Sequence, residues 1–421
     1  MILLKQRPAV LLCLLFLLFV TACNDTTTTY TQASLLIQPT TAPVISTSCP
    51  ASGTGHAAVM PSFKPGTSQN IVYQSAFSDA TDNTVTLKRY DVQKKATKAI
   101  TSGAIKTAQI SHDGQWLLLS VIENATSKMM LMRMDGQDQQ TLYCAPKGQV
   151  IDPLNSTGVQ WSPDQKHIVF TQGASFDATQ GANPALSIFQ LDLSSGKVQL
   201  ELAPIGNDEY FNLDTWVDAT HVSLLQTQNT GPVQNTLYLL DTGKGPISHI
   251  SDLQLVRKLG EGQNFALSAD GKTLFEGSTN FSASMLQSVV DAYSTSTGKV
   301  QQLLTKRGIY LAGMRVINSS SLMFVSGAQN APTQDIADNL GWWKINTDGS
   351  GLTHLNKDNF GGGAGPGTWG PFSPYSKNSW SNFSRDSLFY IEKSSYGSIN
   401  GGPLTSYTND NDARPIGWTT M

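Results

Sequence analysis

The sequence has few charged residues, and their signs are nearly balanced. Asp, Glu, Lys and Arg make up 14% of the 421 residues, and 31 acidic residues slightly outnumber 28 basic ones. Nucleic-acid binding needs a dense basic surface, because contacts with the phosphate backbone supply much of the affinity. This composition therefore argues against nucleic acid as a partner.

The sequence also lacks helical periodicity. After residue 22, no segment repeats apolar residues at helical spacing over more than about two turns. Short apolar segments instead alternate with turns rich in Gly, Asn, Asp and Ser, as in chains of short strands. The sequence therefore predicts an all-β protein.

Three common functional motifs are missing. No Gly-Lys-Ser or Gly-Lys-Thr follows the glycine-rich stretch at 361–367, which excludes a phosphate-binding loop there. No Gly-x-Ser-x-Gly elbow is present, which argues against a serine hydrolase of the α/β class. The acidic runs at 79–83 and 409–412 lack the full calcium loop of an EF-hand.

Cysteine is scarce, with four in the chain. Cys13 lies within an apolar N-terminal run, and Cys23 closely follows that run. The remaining pair, Cys49 and Cys144, is a candidate disulfide if the chain is exported to an oxidising compartment. The sequence leaves this pairing open, because it does not show that the two sulfurs meet.

Residues 1–22 have the three zones of an export signal: basic residues, an apolar run and small residues. The segment Val20-Thr21-Ala22-Cys23 resembles the lipobox of bacterial lipoproteins. This resemblance implies cleavage before Cys23 and lipidation of its sulfur. Several acyl chains hold a protein on a membrane, since each buried methylene adds about 0.8 kcal/mol. We expect a lipid anchor in the outer leaflet of the cytoplasmic membrane or in the outer membrane, with the folded part extracytoplasmic.

The chain thus divides into three parts. Residues 1–22 form the signal peptide, and residues 23–55 form the lipidated cysteine with a polar spacer. The spacer is of low complexity and too polar to fold alone, although Ser34–Gln38 is a candidate extra strand. Residues 56–421 form the folded domain.

One pattern recurs through this domain: an apolar anchor that ends a strand, a tight turn, and a second apolar strand. The clearest copy is Trp161-Ser162-Pro163-Asp164-Gln165-Lys166-His167. The anchors, spaced by about 50 residues, are Phe63, Ile110, Trp161, Trp216, Leu267, Val316 and Phe383. Three further strand-like segments follow each anchor. Four short strands per unit predict a β-propeller of seven four-stranded blades, with six blades as the alternative.

The aspartates of the repeat are expected to be turn residues. Asp tolerates tight turns because its carboxylate accepts hydrogen bonds from nearby backbone N–H groups. The residues in this position are Asp113, Asp164, Asp270 and Asp386. We expect them to shape the turns, and the apolar anchors to pack between blades.

The unit Ser-x-Asp-Gly between two strands, with an apolar or Trp anchor before it, resembles the WD40-like (PD40) repeats of the TolB propeller family. The resemblance covers residues 57–421 and implies a propeller. TolB proteins carry an α/β domain before the propeller, and this chain has only a short spacer there. Two modes of ring closure remain open: Ser34–Gln38 adds an outer strand to the last blade, or the first and last blades simply pack. The C-terminus is expected to complete its own blade.

We expect a binding surface on the side of the propeller that carries the long connections, since extra loop length on a rigid scaffold commonly holds function. The strongest candidate is the glycine-rich stretch 361–375, in which Trp369, Phe372 and Tyr375 could offer aromatic faces to a sugar or peptide. Packing of these rings onto the propeller is the alternative.

Further candidates lie in other long connections of the same side. Asp177, Asp335 and Asp338 could line the rim together with Asp79 and Asp82. Oxygen ligands of this kind suit Ca²⁺, although solvated loop carboxylates are the simpler interpretation. We add Tyr396 as a ligand-binding candidate, in the connection assigned to 394–403.

The sequence predicts a non-catalytic binding or scaffold protein for a protein, peptide or glycan ligand. The alternative is a propeller lyase or hydrolase that acts on a cell-envelope or extracellular polymer. Such an enzyme needs converging catalytic groups, and His112, His167 and His221 are expected at turns on the side opposite the long connections. We therefore expect no metal centre and no cofactor beyond a candidate Ca²⁺.

Overall fold

The computed structural model describes most of the chain beyond residue 44. The described residues are 45–62, 66–75, 84–153, 158–175, 185–204, 209–228, 235–259, 264–280, 286–327, 340–356, 383–384, 386–392, 394–410 and 413–421. Within them, no helix is long and apolar enough to cross a membrane. Residues 43–421 form one compact unit, and the candidate strand Ser34–Gln38 and the anchor Phe63 lie outside the described residues.

The described elements are nearly all strands, arranged as seven antiparallel sheets around an axis, which confirms the predicted seven-bladed propeller. The first four blades contain β1 (Asn70–Ser75), β2 (Val85–Asp91), β3 (Ala96–Gly103), β4 (Ile105–Ile110), β5 (Trp116–Glu123), β6 (Thr126–Arg133), β7 (Gln140–Cys144), β8 (Gln149–Ile151), β9 (Val159–Trp161), β10 (His167–Ala174), β11 (Ser187–Asp192), β12 (Val198–Leu202), β13 (Glu209–Trp216), β14 (His221–Gln228), β15 (Asn235–Asp241) and β16 (Gln254–Leu259).

The other three blades contain β17 (Asn264–Leu267), β18 (Thr273–Asn280), β19 (Gln287–Ser294), β20 (Val300–Arg307), β21 (Tyr310–Asn318), β22 (Ser321–Gly327), β23 (Gly341–Asn346), β24 (Thr353–Asn356), β25 (Phe389–Glu392), β26 (Ser395–Ser398) and β27 (Thr405–Ser406), and β28 (Arg414–Thr419) closes the chain. In blade 7 the innermost position is taken by Phe383, which forms an isolated bridge with Tyr390. A 3-10 turn, Ile250–Asp252, lies between β15 and β16 of blade 4.

Hydrophobic residues of neighbouring sheets pack face to face to form the core. The anchors Ile110, Trp161, Trp216, Leu267, Val316 and Phe383 are all buried. Trp161, for example, packs in one cluster with Trp116 and Leu118 of blade 2 and Phe170 of its own blade. The anchors are therefore core residues between blades, as the sequence predicted.

The Ser-Asp turns have one geometry in four blades. In blade 3, the Ser162 hydroxyl donates to Asp164 Oδ1 at 2.7 Å, and the His167 N–H donates to Ser162 Oγ at 2.9 Å. Equivalent Ser-to-Asp bonds form at Asp113, Asp270 and Asp386. The residue after the aspartate has a positive φ, as in Gly271 at +66°, which explains the preference for Asp-Gly. The four aspartates are confirmed as turn residues.

The ring closes in a way that the sequence did not indicate. β28 pairs with β1, from Asn70 opposite Thr419 to Gln74 opposite Arg414, and becomes the innermost strand of blade 1. The prediction that the C-terminus completes its own blade was therefore wrong. Blade 1 instead combines both ends of the chain, which seals the ring with backbone hydrogen bonds.

A segment before the first strand, residues 45–60, lies along the outer edge of blade 2; we call it the strap. Its Ser46 carbonyl accepts a hydrogen bond from the Thr141 N–H at 2.8 Å, and its Gly55 N–H donates to Gly196 O of blade 3 at 2.9 Å. Cys49 is bonded to Cys144 of β7, with Cα atoms 5.6 Å apart. The strap thus covers an edge strand and joins two blades.

Trp418→Ala should destabilise the ring. Trp418 of β28 is 3% exposed and packs edge-on against Tyr396 of blade 7 at 5.9 Å. Loss of a buried Trp typically costs about 3–5 kcal/mol, so the urea midpoint should fall. Leu388→Ala, at an exposed turn position, is the control and should change stability by less than about 0.5 kcal/mol. Equal effects of the two substitutions would contradict this mode of closure.

Reduction of the disulfide should also destabilise the protein. The bond links residues 95 apart, and the chain-entropy model gives up to about 4–5 kcal/mol for a loop of this size. The denaturation midpoint of the wild type should fall when a reductant is added. The double variant Cys49→Ser/Cys144→Ser should have the lower midpoint with or without reductant. An unchanged wild-type midpoint on reduction would refute the stabilising role.

Candidate functional site

The described residues enclose a cavity of about 540 Å³ at the axis of the propeller. Its walls are the ends of inner strands from blades 3 to 6, and its rim is formed by the short turns that follow them. The lining residues are His112, Trp161, Pro163, Thr215, Trp216, Val217, Asp218, Ala266, Leu267, Ser268, Ala269, Asp270, Arg315, Val316, Ile317 and Asn318. A cavity of this size accommodates a small ligand or a short stretch of a polymer.

The repeat places one residue per blade directly before its anchor. This residue is Gln109, Gln160, Thr215, Ala266 or Arg315 in blades 2 to 6. Arg315 is 7% exposed, and among the described lining residues it is the one that carries a fixed positive charge. The cavity therefore has a cation in an otherwise largely apolar wall.

Side chains from neighbouring blades bind the open edges of the inner strands. Gln109 Oε1 accepts a hydrogen bond from the Trp161 N–H at 2.8 Å, and the Trp216 indole donates to Gln160 O at 3.2 Å. Asn264 donates to Leu311 O at 2.8 Å. Each bond satisfies a backbone group that the sheet leaves unpaired. These contacts fix the walls of the cavity.

Two carboxylates at the rim are held in their ionised form. The Ser268 hydroxyl bond lowers the pKa of Asp270 against the opposing effect of burial, with help from the Lys272 N–H and charge. Burial alone would raise the pKa of Asp218, but bonds from the Thr220 and His221 N–H groups hold it below its ordinary value. The rim of the cavity therefore carries negative charge, whereas its wall contains the positive charge of Arg315.

His167 and His221 are structural links in two successive blades. His221 Nδ1 lies 2.9 Å from Asp218 Oδ2, and its Nε2 lies 3.8 Å from Asp241 Oδ2. His167 lies in the same way between Asp164 and Asp192, at 3.9 and 3.7 Å. Both begin strands directly after the turns where the sequence placed them, and both are partly buried because each bridges two turns of its blade.

No metal centre is formed by the part of the chain that the structure describes. Within it, no group of three or more His, Cys, Asp or Glu side chains could hold a metal ion. The carboxylates proposed for Ca²⁺, Asp177, Asp335 and Asp338, lie outside the described residues, as do Asp79 and Asp82. The Ca²⁺ site stays a prediction.

The other rim candidates lie mostly outside the described residues too. This applies to the aromatic residues Trp369, Phe372 and Tyr375. The predicted lipidation residue Cys23 also lies outside the described residues. The binding surface predicted on the long-connection side therefore stays untested. The described cavity is on the opposite side, where the short turns meet.

Tyr396 belongs to the core rather than to a rim. It lies in β26, is 8% exposed, and contacts Phe389 and Trp418 at 6.1 and 5.9 Å. The sequence assigned it to a long connection over 394–403, but that range contains β26 and the start of the next turn. Tyr396 is thus a packing residue at the junction of blade 7 and β28.

Sequence reasoning did not identify the cavity. One signal was present: Arg315 stands immediately before an apolar anchor, where other repeats have Gln, Thr or Ala. A charged residue in a strand that packs on both faces is rarely buried without a function or a partner. The signal lies in comparison between repeats, not in any local motif.

Comparison with solved structures shows the fold. An oligogalacturonate lyase in complex with manganese superposes with a TM-score of 0.51 at 11% identity, covering 84% of this chain and 96% of the lyase. TolB from Acinetobacter baumannii gives 0.39 at 19% identity, covering 68% of this chain and 63% of TolB. Dipeptidyl peptidase 4 of Porphyromonas gingivalis gives 0.48 at 11% identity, covering 80% of this chain and 50% of the peptidase.

The similar structures include TolB propellers as well as a lyase and peptidases. The chain spans about 63% of the A. baumannii TolB that it matches. No family model matches the sequence, and no curated protein matches it. At these identities the similarity establishes a β-propeller and leaves the activity undetermined.

Proposed function

We propose that this protein is a membrane-anchored, extracytoplasmic binding module that holds a peptide or glycan segment of its partner in the axial cavity. The observation that supports the proposal is the cavity itself, with about 540 Å³ of space between rigid inner strands. Its two tryptophans are fixed by core packing and by the Trp216 indole bond, so the site is preorganised. Preorganised sites lose little entropy on binding.

The chemistry of the lining suits an amphipathic segment. Trp216, Val217 and Ile317 offer apolar surface, whereas Arg315 and the ionised Asp218 and Asp270 offer polar contacts of both signs. Peptides and glycans combine apolar faces with polar groups in this way. A nucleic-acid ligand is disfavoured, since the rim carboxylates would repel phosphates.

We propose a non-catalytic role, because a reaction would need an activated nucleophile or an acid–base pair near bound substrate. The described cavity lining offers His112 and two carboxylates. These carboxylates, Asp218 and Asp270, accept hydrogen bonds from backbone N–H groups of their own turns. The alternative, a lyase or hydrolase, requires catalytic groups from the long connections outside the described residues.

Ala269→Trp should block the cavity. Ala269 lies on the exposed rim, so a larger side chain there fills the mouth without entering the core. We expect at least about a tenfold loss of partner recovered by crosslinking full-length protein in detergent-solubilised envelope, equal to about 1.4 kcal/mol. Ala96→Trp, on the exposed outer strand β3, is the matched control and should bind normally. If both variants recover the same partner equally, the cavity is not the binding site.

Turnover would favour the alternative. Release of reducing ends or new amino termini from envelope polymers by the wild type would point to an enzyme, and its persistence in Ala269→Trp would assign the catalytic groups to the long connections rather than to the cavity. Binding without turnover supports the module.

We also propose that Cys23 carries the lipid anchor. The support is the lipobox at its position, and the length of the spacer between Cys23 and the strap. Cys23→Ser should move the protein from the membrane fraction to the soluble fraction and abolish incorporation of labelled palmitate, since acyl chains supply the membrane affinity. Cys13→Ser, within the signal peptide, should leave both properties unchanged. Retained label in Cys23→Ser would refute the anchor.

A further inference from the structure

Blade 4 reaches across to blade 3 through an extended connection. This connection, residues 242–253 between β15 and β16, is the longest of the seven links between third and fourth strands; we call it the arm. Its Ile247 N–H donates to Glu201 O at 2.8 Å, and the Ala203 N–H donates to Ile247 O at 2.9 Å. These two bonds form a short parallel bridge on the outer edge of β12.

The arm is held by apolar contacts as well. Ile247 and Leu253 are 8% and 6% exposed, and both pack in one cluster with Leu202 of β12. The arm therefore covers the edge strand of blade 3, much as the strap covers blade 2. Unlike the strap, the arm has no covalent bond to the blade that it covers.

Glu201 lies at the point where the arm crosses β12. Its side chain is fully buried, with 0% exposure, and neither carboxylate oxygen has a hydrogen-bond partner within the described part of the chain. A buried carboxylate without partners is strongly unfavourable when ionised and tolerable only when neutral. Opening of the arm would expose β12 to water, which would hydrate the ionised group.

We propose that Glu201 is a proton-controlled latch, in which the neutral carboxyl keeps the arm docked on blade 3 and its ionisation releases the arm. This inference goes beyond the binding module and does not depend on it. It assigns a regulatory device to a group that the cavity does not use.

The charged surroundings of Glu201 favour its neutral form. Burial and, to a lesser extent, the Asp241 carboxylate raise the pKa of Glu201 to about 7, against the opposing effect of Lys197. Asp241 has a cationic neighbour in Lys244, whose Nζ lies 3.3 Å from Asp241 Oδ2, and His221 Nε2 lies 3.8 Å from the same oxygen. Asp241 thus remains ionised, with a pKa below its ordinary value, whereas no cation contacts the Glu201 carboxylate within the described residues.

The direction of the pH effect follows from proton linkage. The docked state binds the Glu201 proton more tightly than a released state in which the pKa returns to its ordinary value of 4.5. Docking is therefore at full strength below pH 4.5 and weakens as pH rises through about 7. Between pH 5.5 and 8.5 the open fraction should increase about 30-fold by this linkage.

Hydrogen exchange of the full-length protein in detergent tests the latch. Exchange rates of the Ile247 and Ala203 amides, corrected for the intrinsic pH dependence, should rise about 30-fold between pH 5.5 and 8.5 in the wild type. Glu201→Gln keeps the shape but cannot ionise, so its corrected rates should change by less than about twofold.

Controls separate the latch from other titrations. Glu123→Gln, which removes a partly exposed glutamate paired with Lys128, should keep the wild-type pH response. A pH response that persists in Glu201→Gln would assign the effect to His221 or another group and overturn the proposal. A flat wild-type profile would also overturn it. Glu201→Met, a neutral residue of similar length, provides a second test if the glutamine variant fails to fold.

Discussion

The whole propeller depends on the pairing of its last strand with its first. Seven sheets packed face to face bury their cores only if every sheet has two neighbours, so an open junction would expose two apolar faces at once. β28 prevents this by becoming the inner strand of blade 1. The Thr419 hydroxyl also donates to Gly114 O of blade 2 at 2.6 Å. The junction is therefore fastened to blades on both of its sides.

Within the closed ring, polar groups at the edges of strands are satisfied by three different means. Inner edges accept side chains from neighbouring blades, such as Gln109 and Trp216. The outer edge of blade 2 is covered by the disulfide-bonded strap, and that of blade 3 by the arm. Covered edges also resist pairing with other chains. Ile247 of the arm and Gly55 of the strap thus both bind to an outer edge by backbone hydrogen bonds. The strap is held by a disulfide as well.

The two sides of the propeller differ in the support that they give to a binding site. The sequence assigns its acidic loop residues and the aromatic residues of 361–375 to the side with long connections, and these residues lie outside the described part of the chain. The side with short turns is rigid, because Ser-Asp hydrogen bonds fix the turns of four blades, and it encloses the cavity that contains Arg315. A rigid site needs less ordering on binding than a loop surface, which makes the short-turn side the better supported site.

The sequence by itself determined the repeat and the Ser-Asp turns, favoured seven blades over six, and indicated Cys49 and Cys144 as a candidate disulfide pair. These features are local or periodic: the turn at Asp164 is complete within a few residues, and each blade repeats the pattern. The tertiary structure alone decided the closure by β28, the burial of Tyr396 and Glu201, and the axial cavity. Glu201 lies between Leu200 and Leu202 in β12 and is expected from the sequence to face solvent, but its side chain is buried in the folded chain. Such features depend on contacts between distant residues, as in the bond from Asn70 to Met421, 351 positions apart, and these contacts exist only once the ring has formed.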